Sequence, residues 1–114
     1  MEAEPTIEVV GEAGNGRLAL EAVQTLNPDL LLLDINMPEM TGLEVLGYLR
    51  NERNAVYVII LSAHSDTRYV EAAIRLGANG YVGKDSGPEI LMQAIQSIQD
   101  GHLYIDPSIA VVAG

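Results

Sequence analysis

Unbroken apolar runs alternate along this chain with stretches in which apolar residues recur every three or four positions. The first pattern reads as strands buried in a sheet, the second as helices with one face in a core. Ile7–Glu12 (IEVVGE) is β-branched and apolar, runs into glycines at positions 11, 14 and 16, and predicts a strand. Leu18, Ala19, Ala22, Val23 and Leu26 follow at helical spacing and stop at Asn27-Pro28. Leu30–Leu33 is continuous and closes on Asp34, as expected of a central strand covered on both faces. Thr41 and Glu44 have the spacing of a capping box, and Leu43, Leu46 and Leu49 carry the stripe of the helix behind it. Val56–Leu61 (VYVIIL) predicts another strand, Asp66–Leu76 a helix, and Gly80–Val82 a short strand. Ser86-Gly87-Pro88 opens a last long helix with Ile90, Leu91, Ala94, Ile95 and Ile98 on one face and Gly101 just past its end. The remainder, His102–Gly114, holds a short helical pattern at Asp106–Val112 that reads either as a docking turn or as the start of a linker.

The predicted strands begin near positions 7, 29, 56 and 80, and each interval holds one helix. That is a βαβαβαβα order, hence an α/β fold with a parallel sheet. With 114 residues and no repeat or low-complexity stretch, residues 1–114 form a single domain. Hydrophobic residues make up 48% of the chain, enough for a packed core. The formal charge of −10 argues against direct binding to nucleic acid. The absence of cysteine removes disulfide scaffolds, thiol nucleophiles and thiolate metal sites and points to a reducing compartment. No apolar run approaches a membrane span, so a cytoplasmic protein without membrane contact is expected.

In an open α/β sheet, ligands bind beyond the carboxyl ends of the strands. Three polar residues stand there: Asp34 closes one predicted strand, Ser62 closes the next, and Lys84 follows the last. A carboxylate can attack phosphorus and become an acyl phosphate, a hydroxyl can donate to a phosphoryl oxygen, and an ammonium can neutralise its charge. The trio therefore suits a site that accepts a phosphoryl group. Each residue has a plainer reading, because strands end at the surface and polar residues collect there. Gly11-x-x-Gly14-x-Gly16 suggests nucleotide binding, but its order is not that of the dinucleotide fingerprint, and a glycine cluster after a strand is commonly a turn. His64 and His102 are far apart and lack the spacing of a transition-metal site.

The segment LLDINMPEMTGLE, Leu32 to Glu44, resembles the phosphoacceptor segment of bacterial two-component response-regulator receiver domains. Leu61-Ser62-Ala63, Gly77-Ala78 and Gly80-Tyr81-Val82-Gly83-Lys84-Asp85 are similar to that family's remaining motifs, in order and spacing. The likeness runs from Ile7 to Ser108 and is greatest to receivers that precede a helix-turn-helix DNA-binding domain. It implies a flavodoxin-like open parallel sheet. It also implies that Asp34 accepts phosphate from a sensor histidine kinase, that Asn36 offers its backbone carbonyl to Mg²⁺, and that Lys84 pairs with the phosphoryl oxygens. Ser62 and Tyr81 would be the switch pair, although a tyrosine on a short strand equally reads as a packing residue. Such a module is a signalling phosphoacceptor and not an enzyme beyond its own phosphoryl transfer and dephosphorylation. Its output in the parent protein would be transcriptional.

The family pattern places a strand, an acidic pair and a helix ahead of IEVVGEA; Met1–Pro5 resembles the end of that helix, so the strand, the acidic pair and most of the helix are expected to be absent. The expectation is a truncated sheet of about four strands, no effector domain, and Mg²⁺ binding that is weak or absent with Asp34 and Asn36 as its remaining ligands. Glu12 and Glu39 are nearby acids, each more naturally an exposed charge. A gap in the sheet favours a homodimer. Two functions thus stand side by side: a receiver controlled by phosphorylation of Asp34, and a receiver-like dimerisation domain that no longer takes phosphate.

Overall fold

The computed structural model describes residues 8, 10–37, 40–63 and 68–107. Four parallel strands, β1 (Leu30–Asp34), β2 (Tyr57–Ser62), β3 (Gly80–Gly83) and β4 (Tyr104–Ile105), lie side by side in that order. Among the described residues the helices that accompany them are α1 (Gly16–Leu26), α2 (Gly42–Asn51), α3 (Arg68–Leu76) and α4 (Pro88–Gln99). This is the predicted α/β class, a flavodoxin-like parallel sheet flanked by helices. No described helix is long and apolar enough to cross a membrane.

The helix ends follow the capping signals. Thr41 Oγ1 accepts from the Glu44 amide while Glu44 Oε1 accepts from the Thr41 amide, which closes the capping box at the start of α2. Asn15 caps α1 through its side chain, and Asn27 ends it in the left-handed conformation with φ 50°. Pro88 opens α4.

Side-chain alternation along the strands separates two cores. Leu33, Val58, Ile60 and Tyr81 face α1, α2 and α3, meeting Leu20, Val23, Val45, Leu46, Leu49, Val70 and Ala73. Ile59 and Val82 face α4, meeting Ala94, Ile95 and Ile98. The central strand is β2, whose Val58, Ile59 and Ile60 are fully buried. Leu30–Leu33 does not hold the doubly covered place expected for it. β1 has one neighbour among the described residues, and Leu32, on the α4 face, is 42% exposed because α4 lies chiefly over β3 and β4, with Leu30 the β1 residue packed against its cluster.

The fourth strand also differs from expectation. Glu8 and Val10–Glu12 lie outside any strand, while Ile7 and Val9 lie outside the described residues. The place is taken by Tyr104–Ile105, too short a pair for its apolar pattern to predict a strand. Of Asp106–Val112, Asp106 follows β4, Pro107 is helical, and residues beyond Pro107 lie outside the described residues. In α1, Leu20 is buried in place of Leu18 and Leu26, which are 39% and 44% exposed. The buried face is set by Gly16, Ala19, Leu20 and Val23.

The sheet advances in one direction, yet α2 and α3 cross on one face and α4 on the other. The β3–α4–β4 connection therefore has the opposite hand to the two before it.

At the amino ends of the strands, Arg50 closes the fold. Its guanidinium donates to Gly77 O (3.1 and 2.9 Å), Asn54 O (2.7 Å) and Asn79 Oδ1 (3.0 Å). Asn79 Oδ1 also accepts from the Val58 amide at 2.9 Å. Burial holds the Arg50 pKa below its ordinary value.

Candidate functional site

Parallel strands all end on one rim, so Asp34, Ser62 and the turn after β3 are brought together by topology alone. Asp34 stands opposite Leu61 in the β1–β2 register, one residue short of Ser62. The Ser62 carbonyl accepts the Lys84 amide at 2.7 Å, which carries the chain from β3 back over the rim. Lys84 Nζ then donates to Asp34 Oδ2, while Asp34 Oδ1 accepts from the Asn36 amide at 2.9 Å. The two side chains of the ion pair are 37% and 32% exposed, so solvent reaches the carboxylate. A pair this exposed contributes at most about 1 kcal/mol to stability.

Ser62 is buried, and Tyr81 is fully buried on β3. Both fall on the α2–α3 face by alternation with Val58 and Ile60. Asp34, Asn36, Ser62 and Lys84 are thus gathered at one place, with Tyr81 within the core below it.

The backbone around Asp34 is held at close quarters. The Gly42 amide donates to Ile35 O at 3.1 Å, and a Cβ on Gly42 would stand 2.5 Å from Asp34 O. That fixes the start of α2 against the loop leaving β1. Behind Lys84, the buried carboxylate of Asp106 accepts from the Gly83 amide at 3.0 Å and from Ser86 Oγ, and the Asp106 amide donates to Tyr81 O at 2.8 Å. Burial, and secondarily the charge of Asp106, raise the Tyr104 pKa above its ordinary value. Sequence reasoning missed Asp106, because Asp-Pro after an apolar pair reads as a turn; the β-branched end of Leu103-Tyr104-Ile105 was the only signal of a strand there.

The other candidates stand apart from the rim or outside the described residues. Glu12 and His102 are exposed, and Glu39 and His64 lie outside the described residues. The glycine cluster has a packing role at its last member, where a Cβ on Gly16 would meet Met40 and Val45 at 2.7–2.9 Å.

Magnesium is implied by the resemblance. A hexacoordinate oxygen set needs more than one carboxylate with both oxygens engaged elsewhere. Among the described residues no group of three or more His, Cys, Asp or Glu could hold a metal, and the Asp34 oxygens bind the Asn36 amide and the Lys84 ammonium. The residues described do not by themselves fit the ion.

The family model for the response regulator receiver domain matches residues 1–96. The nitrate/nitrite response regulator protein NarL of Escherichia coli is 39% identical over 108 residues, covering 95% of this chain and 50% of the relative. The transcriptional regulatory protein DegU of Brevibacillus brevis is 38% identical over 106 residues, covering 93% and 45%. The chain spans about half the length of these relatives. Among solved structures, a LuxR-family two-component response regulator from an Aurantimonas species superposes with a TM-score of 0.83 at 32% identity, covering 90% of this chain and 73% of that one. The receiver domain of a NarL-like regulator from Mycobacterium tuberculosis gives 0.77 at 36% identity, covering 83% and 77%.

Proposed function

The chain belongs to the response regulator receiver domain family, and from that footing we propose that Asp34 accepts a phosphoryl group from a phosphohistidine of a sensor histidine kinase. The observation that carries the reading is the Asp34–Lys84 ion pair at the carboxyl rim, with Ser62 on the adjoining strand end. The pair is partly exposed, so the carboxylate is open to a phosphoryl donor.

A carboxylate oxygen of Asp34 attacks phosphorus. The new O–P bond forms as the P–N bond to the donor imidazole breaks, and the electron pair leaves with the imidazole. Lys84 then moves its ammonium from the carboxylate to the phosphoryl oxygens, with Ser62 Oγ as a hydroxyl donor to them. Tyr81, on the same sheet face as Ser62, is the aromatic partner of that hydroxyl in the switch. Attack by water on the acyl phosphate returns the carboxylate and releases inorganic phosphate. The conformational change serves as the signal, and transcription is the output that relatives of this kind suggest.

Incubation with acetyl phosphate and Mg²⁺, followed by intact mass measurement, tests the reading. One phosphoryl group is expected on the parent and none on Asp34→Asn. A folded parent that gains nothing would leave a receiver-shaped interaction domain. A second copy of the chain is the partner which that alternative favours, because β1 has one neighbour strand among the described residues and Leu32 beside it is exposed.

A further inference from the structure

Lys84 is held from two sides. Its amide is bonded to Ser62 O on β2, and the residues flanking it in the turn, Gly83 and Ser86, both donate to one oxygen of Asp106 beyond β4. We propose that Asp106 is a positioning residue for Lys84, fixing the turn from which the ammonium reaches Asp34. The proposal rests on the reading of Asp34 as the phosphoacceptor.

Three observations carry it. Asp106 is 2% exposed, and a buried carboxylate is costly unless it is fully engaged. Asp106 Oδ2 accepts from both ends of the turn that contains Lys84, the Gly83 amide on one side and the Ser86 hydroxyl on the other. The bracket is also tightly packed: a Cβ on Gly83 would stand 3.0 Å from Ser86 Oγ and 3.4 Å from Asp106 Oδ2. The turn has almost no freedom while Asp106 is in place. With Oδ2 lost as an acceptor, residues 83–86 can shift and the ammonium leaves its line to Asp34.

Lys84 is the single lysine of the sequence, so lysine labelled with ¹³C gives one ε-methylene signal that reads this site. Asp34→Asn marks the direction in which the signal moves when the pair is broken. Asp106→Ala, and Ser86→Ala as a milder variant that leaves the carboxylate in place, are expected to move it the same way and to add little on top of Asp34→Asn. A Lys84 signal unmoved in both folded variants would overturn the proposal.

Phosphorylation by acetyl phosphate supplies the kinetic arm. Asp106→Ala is expected to slow it by up to about 100-fold, the scale of a catalytic group misplaced by an ångström, and to add nothing in a Lys84→Ala background. Equal slowing in both backgrounds would mean a structural role and overturn the proposal. If the parent itself takes no phosphoryl group, the phosphoacceptor reading fails, and the lysine signal alone supports or overturns the placement of Lys84 by Asp106.

Discussion

At position 42 there is room for a hydrogen and nothing larger. Alanine in an ordinary helix gains up to about 1 kcal/mol over glycine. Here its methyl group would press on the backbone of Asp34 and Ile35 at 2.5–2.9 Å, and overpacking costs about 1–3 kcal/mol. Gly42→Ala is therefore expected to be net destabilising by about 1–2 kcal/mol in urea unfolding, and to slow phosphorylation of Asp34; a variant more stable than the parent would show that the loop leaving β1 yields freely. Asp34, Ser62 and Lys84 were legible in the sequence because a strand ends where its apolar run ends, and parallel strands end together. Gly42 and Asp106 were not. Gly42 is approached by the loop leaving β1 and Asp106 by a turn 20–23 residues before it, and neither residue type announces that.

Helices were legible because the caps are local. The Thr41–Glu44 box and Pro88 are read within four residues, and the structure has both. Strand placement depends on neighbours that the sequence does not name. Leu30–Leu33 and Tyr57–Ser62 look alike in composition, yet one is an edge among the described residues and the other is the centre. Arg50 shows the same dependence. It lies on α2 and bonds three acceptors from the loops around β2 and β3, none of them visible from helical spacing. Arg50→Met keeps the apolar stem but strands Gly77 O and Asn54 O and leaves Asn79 Oδ1 with the Val58 amide alone, so a loss of about 2–4 kcal/mol is expected in denaturant unfolding. Arg50→Lys should recover little, because a single ammonium cannot span acceptors that a planar fork reaches together. Full recovery by lysine would show that charge alone matters there.

The two cores are unequal in cover. Among the described residues, three helices close one face of the sheet, whereas α4 alone covers the other and leaves Leu32 and Tyr57 more than 40% exposed. Apolar surface beside a strand that has one neighbour among the described residues favours association. Sedimentation of the chain is expected to show mass rising with concentration, and Leu32→Lys to suppress the rise without lowering the thermal midpoint. A compact monomer at high concentration would remove the second-copy reading. The reversed hand of the β3–α4–β4 connection bears on the order of assembly. Right-handed crossovers lay each new strand down as the chain folds back, and the first three strands with α2 and α3 can form a body in this way. β4 has two residues and pairs with β3 among the described strands, so few backbone hydrogen bonds hold it, and its amides are expected to exchange with solvent sooner than those of β2. Asp106, one residue past β4, thus ties the part of the sheet expected to open at least cost to the turn that carries Lys84.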